Sequence, residues 1–171
     1  MEPPQTEFKV NPQFNTGRQV SGIGGWLILP IIGLFVTIFR LGNILLGTFF
    51  PLLASGNWRP LTTPGSEHYD PLWGPLLVFE AAGNLVFLIW SVVLLILLFS
   101  KSAGFPKTMI AFIVYNIAFL AIDMILCRHL SSMEGDLGDG SMELARTVVG
   151  ALIWIPYFLR SERVKNTFTR D

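Results

Sequence analysis

Four ionisable residues stand in stretches of chain that are otherwise apolar. Arg40 interrupts the stretch from Trp26 to about Ala54, and Glu80 lies near the start of the one from Leu72 to Phe99. Asp123 comes late in Thr108 to Cys127, and Arg146 sits within Met142 to Leu159 beside Glu143. Amides accompany them. Asn43 is three residues from Arg40 and Asn84 is four from Glu80, spacings that place side chains on one helix face. Asn116, two helical turns before Asp123, can share its face as well. Two cations and two anions, one to a stretch, can neutralise one another, hold a solute or relay a proton. Which of these they do depends on the medium, since a charge at the centre of a lipid-embedded helix costs about 2.5 to 3.5 kcal/mol.

The composition indicates lipid. Of 171 residues, 51% are hydrophobic and 14% charged, against roughly 25% charged in soluble domains. A membrane-crossing helix needs about 20 mostly apolar residues, and all four stretches reach that range. A buried four-helix bundle in water would still show a polar stripe; LVFLIWSVVLLILLF, from Leu85 to Phe99, has none. Backbone groups cannot stay unpaired in hydrocarbon, and nothing alternates as outer-membrane barrel strands do. The expected fold is therefore all-α: an integral membrane four-helix transmembrane bundle with both termini cytoplasmic. Its spans cover about 26–54, 72–100, 108–127 and 142–160 within a domain of residues 22–160. A polar disordered arm, residues 1–21, precedes it and lacks the pattern of a cleaved signal peptide. A basic cytoplasmic tail, residues 161–171, follows. No internal repeat is visible.

The orientation rests on Lys and Arg, which collect on the cytoplasmic side. Lys9 and Arg18, Lys101 and Lys107, and Arg160, Arg163, Lys165 and Arg170 all fall on one side of a four-span chain. The other side has Arg59 and Arg128 against Glu67, Asp70, Glu134, Asp136, Asp139 and Glu143. IWIPYFLRSERVK then reads as the cytoplasmic exit of the last span. Trp154 and Tyr157 are expected at headgroup depth, with Arg160, Arg163 and Lys165 as the positive anchor.

GIGGWLILP at the first span, FEAAGN in the second, a late Asp in the third and ARTVVGALIWIPYFLRSERVKNTF at the end resemble a bacterial membrane family known as domain of unknown function 2569. The resemblance runs from about Ile23 to Phe168. It implies a four-span protein of the bacterial inner membrane and assigns no catalytic residue.

Depth along each helix groups the charges. At 1.5 Å per residue, Arg40 is roughly 21 Å from Trp26, Arg146 roughly 21 Å from Arg160, Asp123 roughly 24 Å from Lys107 and Glu80 roughly 30 Å from Ser100. All fall in the outer half of a core about 30 Å thick. Arg40, Asn43, Glu80, Asn84, Asp123 and Arg146 are thus expected to form one buried polar layer with zero net formal charge. Asp123 and Arg146, on consecutive helices, are the first pair expected. The layer serves either as an interhelical clamp or as a proton or solute site.

Other signals are weaker. Pro30 and Pro156 lie near helix ends, where a kink is the ordinary outcome. Cys127 and His129 are two apart and would point to different helix faces. His68 stands in a proline-rich loop, and EGDLGDG lacks the EF-hand order of ligands. The glycines of SGIGG follow no strand, so a nucleotide-phosphate loop is not expected there. No cofactor, metal, nucleic-acid partner or enzymatic constellation is indicated. The readings that remain are an assembly subunit of a membrane complex, or alternatively a small dimeric proton-coupled transporter using the buried acids. The expected partners are the lipid bilayer and a membrane protein or second copy.

Overall fold

A computed structural model describes residues 22–67, 69–129 and 137–170, the last range with side chains from Gly140 onward. The arm of residues 1–21, His68, Glu134 and Asp136, and the side chain of Asp139 lie outside that description. Among the described residues there is no β-strand. Four helices are long and apolar enough to cross a membrane: Gly25–Ala54, Trp73–Phe99, Phe105–Arg128 and Gly140–Arg160. The chain is a multi-pass membrane protein built as a helical bundle.

The first span is composite. A 3₁₀ turn, Gly25–Leu27, leads into α1 (Ile28–Ile44); a π turn covers Leu45–Phe49, and α2 (Phe50–Ala54) completes the crossing. Pro51 accounts for the wide turn, because it has no N–H for the carbonyl of Gly47 and its ring crowds that group. Gly56, at φ 76°, turns the chain in a conformation that side chains resist. The short α3 (Trp58–Thr62) leads to α4 (Trp73–Phe99), whose 27 residues extend about 40 Å. Pro106 opens α5 (Phe105–Arg128) at a position whose N–H would have no helical partner. After α6 (Leu137–Arg160), extended Ser161 caps α7 (Glu162–Thr167), its hydroxyl accepting from the Val164 N–H at 3.4 Å.

Neighbours in sequence are neighbours in space: α1 packs on α4, α4 on α5 and α5 on α6, while α1 and α6 share no comparable seam. Aromatic rings fill the centre. Phe87 meets Phe112, Tyr115 and Phe119 at centroid distances of 5.3, 5.0 and 5.5 Å. Gly83 makes room for the last of these; a Cβ there would fall 2.0 Å from the Phe119 ring. The outside is as apolar as the inside, with Phe39, Leu46 and Leu152 exposing 74%, 73% and 71% of their surfaces. That inversion suits a lipid solvent, which covers such faces without penalty.

Candidate functional site

The open seam between α1 and α6 carries the charges. In the half of the bundle remote from Gly22 and Arg170, Arg40 Nη2 lies 2.7 Å from Glu143 Oε1 and ties the two helices together. The pair is only partly covered, with 62% and 41% of the two side chains exposed. Behind it lies a cavity of about 130 Å³, lined by Thr37, Asn84, Asn116 and the rings of Phe87, Phe112 and Phe119. In front, an open cleft is bounded by Arg40, Met142, Glu143, Arg146 and Thr147. The arrangement offers charged groups and amides above an aromatic floor, a surface able to take a polar group out of lipid.

A second polar group occupies the seam of α4 and α5. Glu80 faces Asp123 and Cys127, and one ligand atom from each falls within 4.8 Å of the others. Asp123 and Cys127 are four residues apart, so one turn of α5 presents both to α4. Asp123 Oδ1 is buried with no hydrogen-bond partner. Two carboxyls and a thiol at this spacing are donors that a divalent metal accepts, and the carboxyls are groups that could carry a proton.

Residues 20–169 match the model of a family described as protein of unknown function (DUF2569). The chain belongs to that family. No curated protein and no solved structure matches it. The match spans both polar groups and α7, so all of them belong to the family domain.

The residues expected in one layer divide. Arg40 and Asn84 line the cavity with Asn116, whereas Glu80 and Asp123 form the separate acidic group. Asn43 is exposed and turns back on its own helix, donating to the Phe39 carbonyl at 2.8 Å. The expected Asp123–Arg146 pair does not form: Arg40 pairs with Glu143, and Arg146 is exposed with no carboxylate in ion-pair range among the described residues. The rotation of α6 explains this. Thr147, Ala151, Trp154 and Phe158 follow Glu143 along one stripe, and Ala151 and Phe158 on that stripe are buried. Arg146 belongs to a stripe with Val149 and Ile153, which expose 57% and 58%. Asp123 meanwhile meets Glu80 of α4.

The sequence puts Glu143 inside the fourth span but counts it with the outer-side acids and not in the layer, and it sets Cys127 beside His129; the structure puts Glu143 and Cys127 in the polar groups. The buried stripe of α6 was the available signal for Glu143. The tail also packs on the bundle. Arg160 and Lys165 are exposed, but Trp154 and Tyr157 pack against the core with rings 5.6 Å apart. Arg163 folds over the SGIGG glycines, where a Cβ on Gly24 would meet its Nη1 at 3.2 Å.

Proposed function

We propose that this protein is an interaction or assembly subunit of a complex in a bacterial inner membrane, without enzymatic activity of its own. In this reading both termini are cytoplasmic, as the bias of Lys and Arg favours, and the cleft between α1 and α6 receives a further transmembrane helix. One observation carries it: the charged side chains of Arg40, Glu143 and Arg146 are wholly or partly exposed within spans whose outward surface is mostly apolar. A charge facing lipid is costly, and a helix laid in the cleft removes that exposure. Photocrosslinkers at Val36 and Val149, which flank the cleft, should give a stoichiometric protein adduct in native membranes. Ile96, equally exposed on α4, should give lipid adducts alone. Equal labelling from all three positions would discard the reading. Reporter fusions after Asp171 and near Gly65 check the orientation, with cytoplasm expected at the first and the opposite side at the second.

A small dimeric proton-coupled carrier is the second reading, favoured by the unpartnered Asp123 oxygen one turn beyond the cavity. Purified protein in vesicles under an acid gradient would then pass protons, and Asp123→Asn would stop the flux while the fold persists. An impermeable vesicle removes this reading.

A further inference from the structure

We propose that the helix received by the cleft between α1 and α6 carries a carboxylate that pairs with Arg146, and that the same cleft rejects a second copy of the chain. The proposal rests on the docking reading above and gives the partner a chemistry.

The charges of the cleft do not cancel. Its charged borders are Arg40, Glu143 and Arg146, with Met142 and Thr147 between them. Glu143 is engaged by Arg40 at 2.7 Å. Among the described residues, Arg146 is left without a carboxylate partner on the outward stripe of α6, one turn from Val149 and beside Met142. Among the described residues no acid serves it: Glu80 and Asp123 face each other across the seam of α4 and α5. An occupant that completes this surface must therefore bring one negative charge at the depth of Arg146. A planar guanidinium fits a carboxylate through two parallel hydrogen bonds, an interaction stronger than one between neutral groups. Between membrane helices a single acid suffices as the matching group, because the rest of the contact is van der Waals packing.

Charge also decides against self-association through this face. A twofold dimer presents the same patch from both subunits, so the net positive charge of Arg40, Glu143 and Arg146 would be doubled in the interface and not cancelled. A partner with an intramembrane Asp or Glu has the opposite effect, and like-charge juxtaposition is a recognised means of excluding wrong partners.

The test uses the full-length protein in phosphatidylcholine vesicles with three designed transmembrane peptides. They are leucine and alanine helices that differ only in bearing Glu, Gln or Lys at the depth of Arg146. Association is read by energy transfer between a dye on the carboxyl-terminal residue and one on the peptide. The Glu peptide should associate about tenfold more tightly than the Gln peptide, the scale of one charge-assisted pair, and the Lys peptide most weakly. Arg146→Gln should erase the preference, Arg146→Lys should keep part of it, and Arg146→Glu should reverse it toward the Lys peptide. Arg146 is exposed, so these variants should melt in detergent like the parent protein. Equal association of the three peptides, no association, or a preference that survives Arg146→Gln overturns the proposal. So does loss of the preference when phosphatidylglycerol is added, which would make a lipid phosphate the partner of Arg146. If Val36 and Val149 crosslink to a native protein while the peptides are not distinguished, the acid is wrong and the docking reading stands. If those positions capture only lipid, the docking reading itself fails.

Discussion

At the end of the bundle that carries Gly22 and Arg170, Phe105 is fully buried beneath Phe158 and Phe168, with ring centroids 5.9 and 4.5 Å away. At the opposite end, Arg40 leaves most of its side chain uncovered. The first end is also laced by backbone. The Gly22 N–H donates to Thr167 Oγ1 at 2.9 Å, and the Ala103 N–H donates to the Arg170 carbonyl at 2.7 Å. Three separate parts of the chain, around Gly22, Ala103 and Thr167, thus close on one another. Among the described residues, the far end has one ion pair across the seam of α1 and α6, and a buried Asp123 Oδ1 without a hydrogen-bond partner. Apolar burial and backbone bonds hold one arrangement; charges with free valence can exchange partners. Stability concentrated at one end leaves the other able to recognise something.

The largest expected effect breaks the closed end. Phe105→Ala removes the ring on which α6 and the tail converge, and deleting a buried Phe costs about 3 to 5 kcal/mol. Thermal unfolding in detergent should show a loss of that size. A loss below about 1 kcal/mol, well under the range for core cavities, would mean that the tail does not staple the bundle. Gly83→Val comes next. Its new methyl groups must displace Phe119, which is stacked on Phe79 at 4.7 Å and edged by Phe87, so repacking should cost about 1 to 3 kcal/mol. Gly83→Val should also disturb both polar groups, since Phe119 floors the cavity and Asp123 is four residues on. Unchanged melting would show that the ring swings away freely.

The two ends differ in how much the sequence discloses about them. Hydropathy alone reports the four crossings, because each long helix must satisfy lipid over most of its circumference, and no packing detail is needed to see it. Depth along each helix likewise puts Arg40 and Arg146 among the charges of the far half. Rotation about the helix axis is another matter. Glu143 and Arg146 are three residues apart, about 60° around the helix, and only the burial of Ala151 and Phe158 decides which of them looks at α1. The closed end withholds a different thing. RSERVK has the composition of a lipid anchor, and in the structure the turn it opens also buries Val164 and Thr167 against the bundle. A motif of so few residues does not announce the surface it will meet.

The far end is probed by comparing two pairs of charges. Arg40→Gln and Glu143→Gln, singly and together, should show a coupling near 0.6 kcal/mol and no more than about 1.7, the range measured for polar contacts between membrane helices. The same cycle for Asp123→Asn and Arg146→Gln should couple by less than about 0.5 kcal/mol, as separate sites do. Denaturant titration of the purified variants measures both. A larger coupling for the second pair would restore the arrangement expected from the sequence and place Arg146 inside the bundle.

The smallest effect tests how the closed end is fitted together. Gly24 has extended backbone, φ −177°, which any residue adopts, so the glycine is not there for conformational freedom. Its role is space. A Cβ would approach Arg163 Nη1 at 3.2 Å, close enough to push the guanidinium by a few tenths of an ångström and no more, because the contact is with the tip of a flexible side chain. Gly24→Ala should therefore cost no more than about 0.5 kcal/mol, the ordinary range for substitutions away from the core. Arg163→Ala should make a subsequent Gly24→Ala neutral, since the atom being displaced is then gone. If Gly24→Ala costs as much in the Arg163→Ala background as in the parent, the two residues do not touch, and the tail is held by Val164, Thr167 and Phe168 alone. A cost well above the expected range would instead mean that the guanidinium is locked in place and belongs to the rigid part of the closed end.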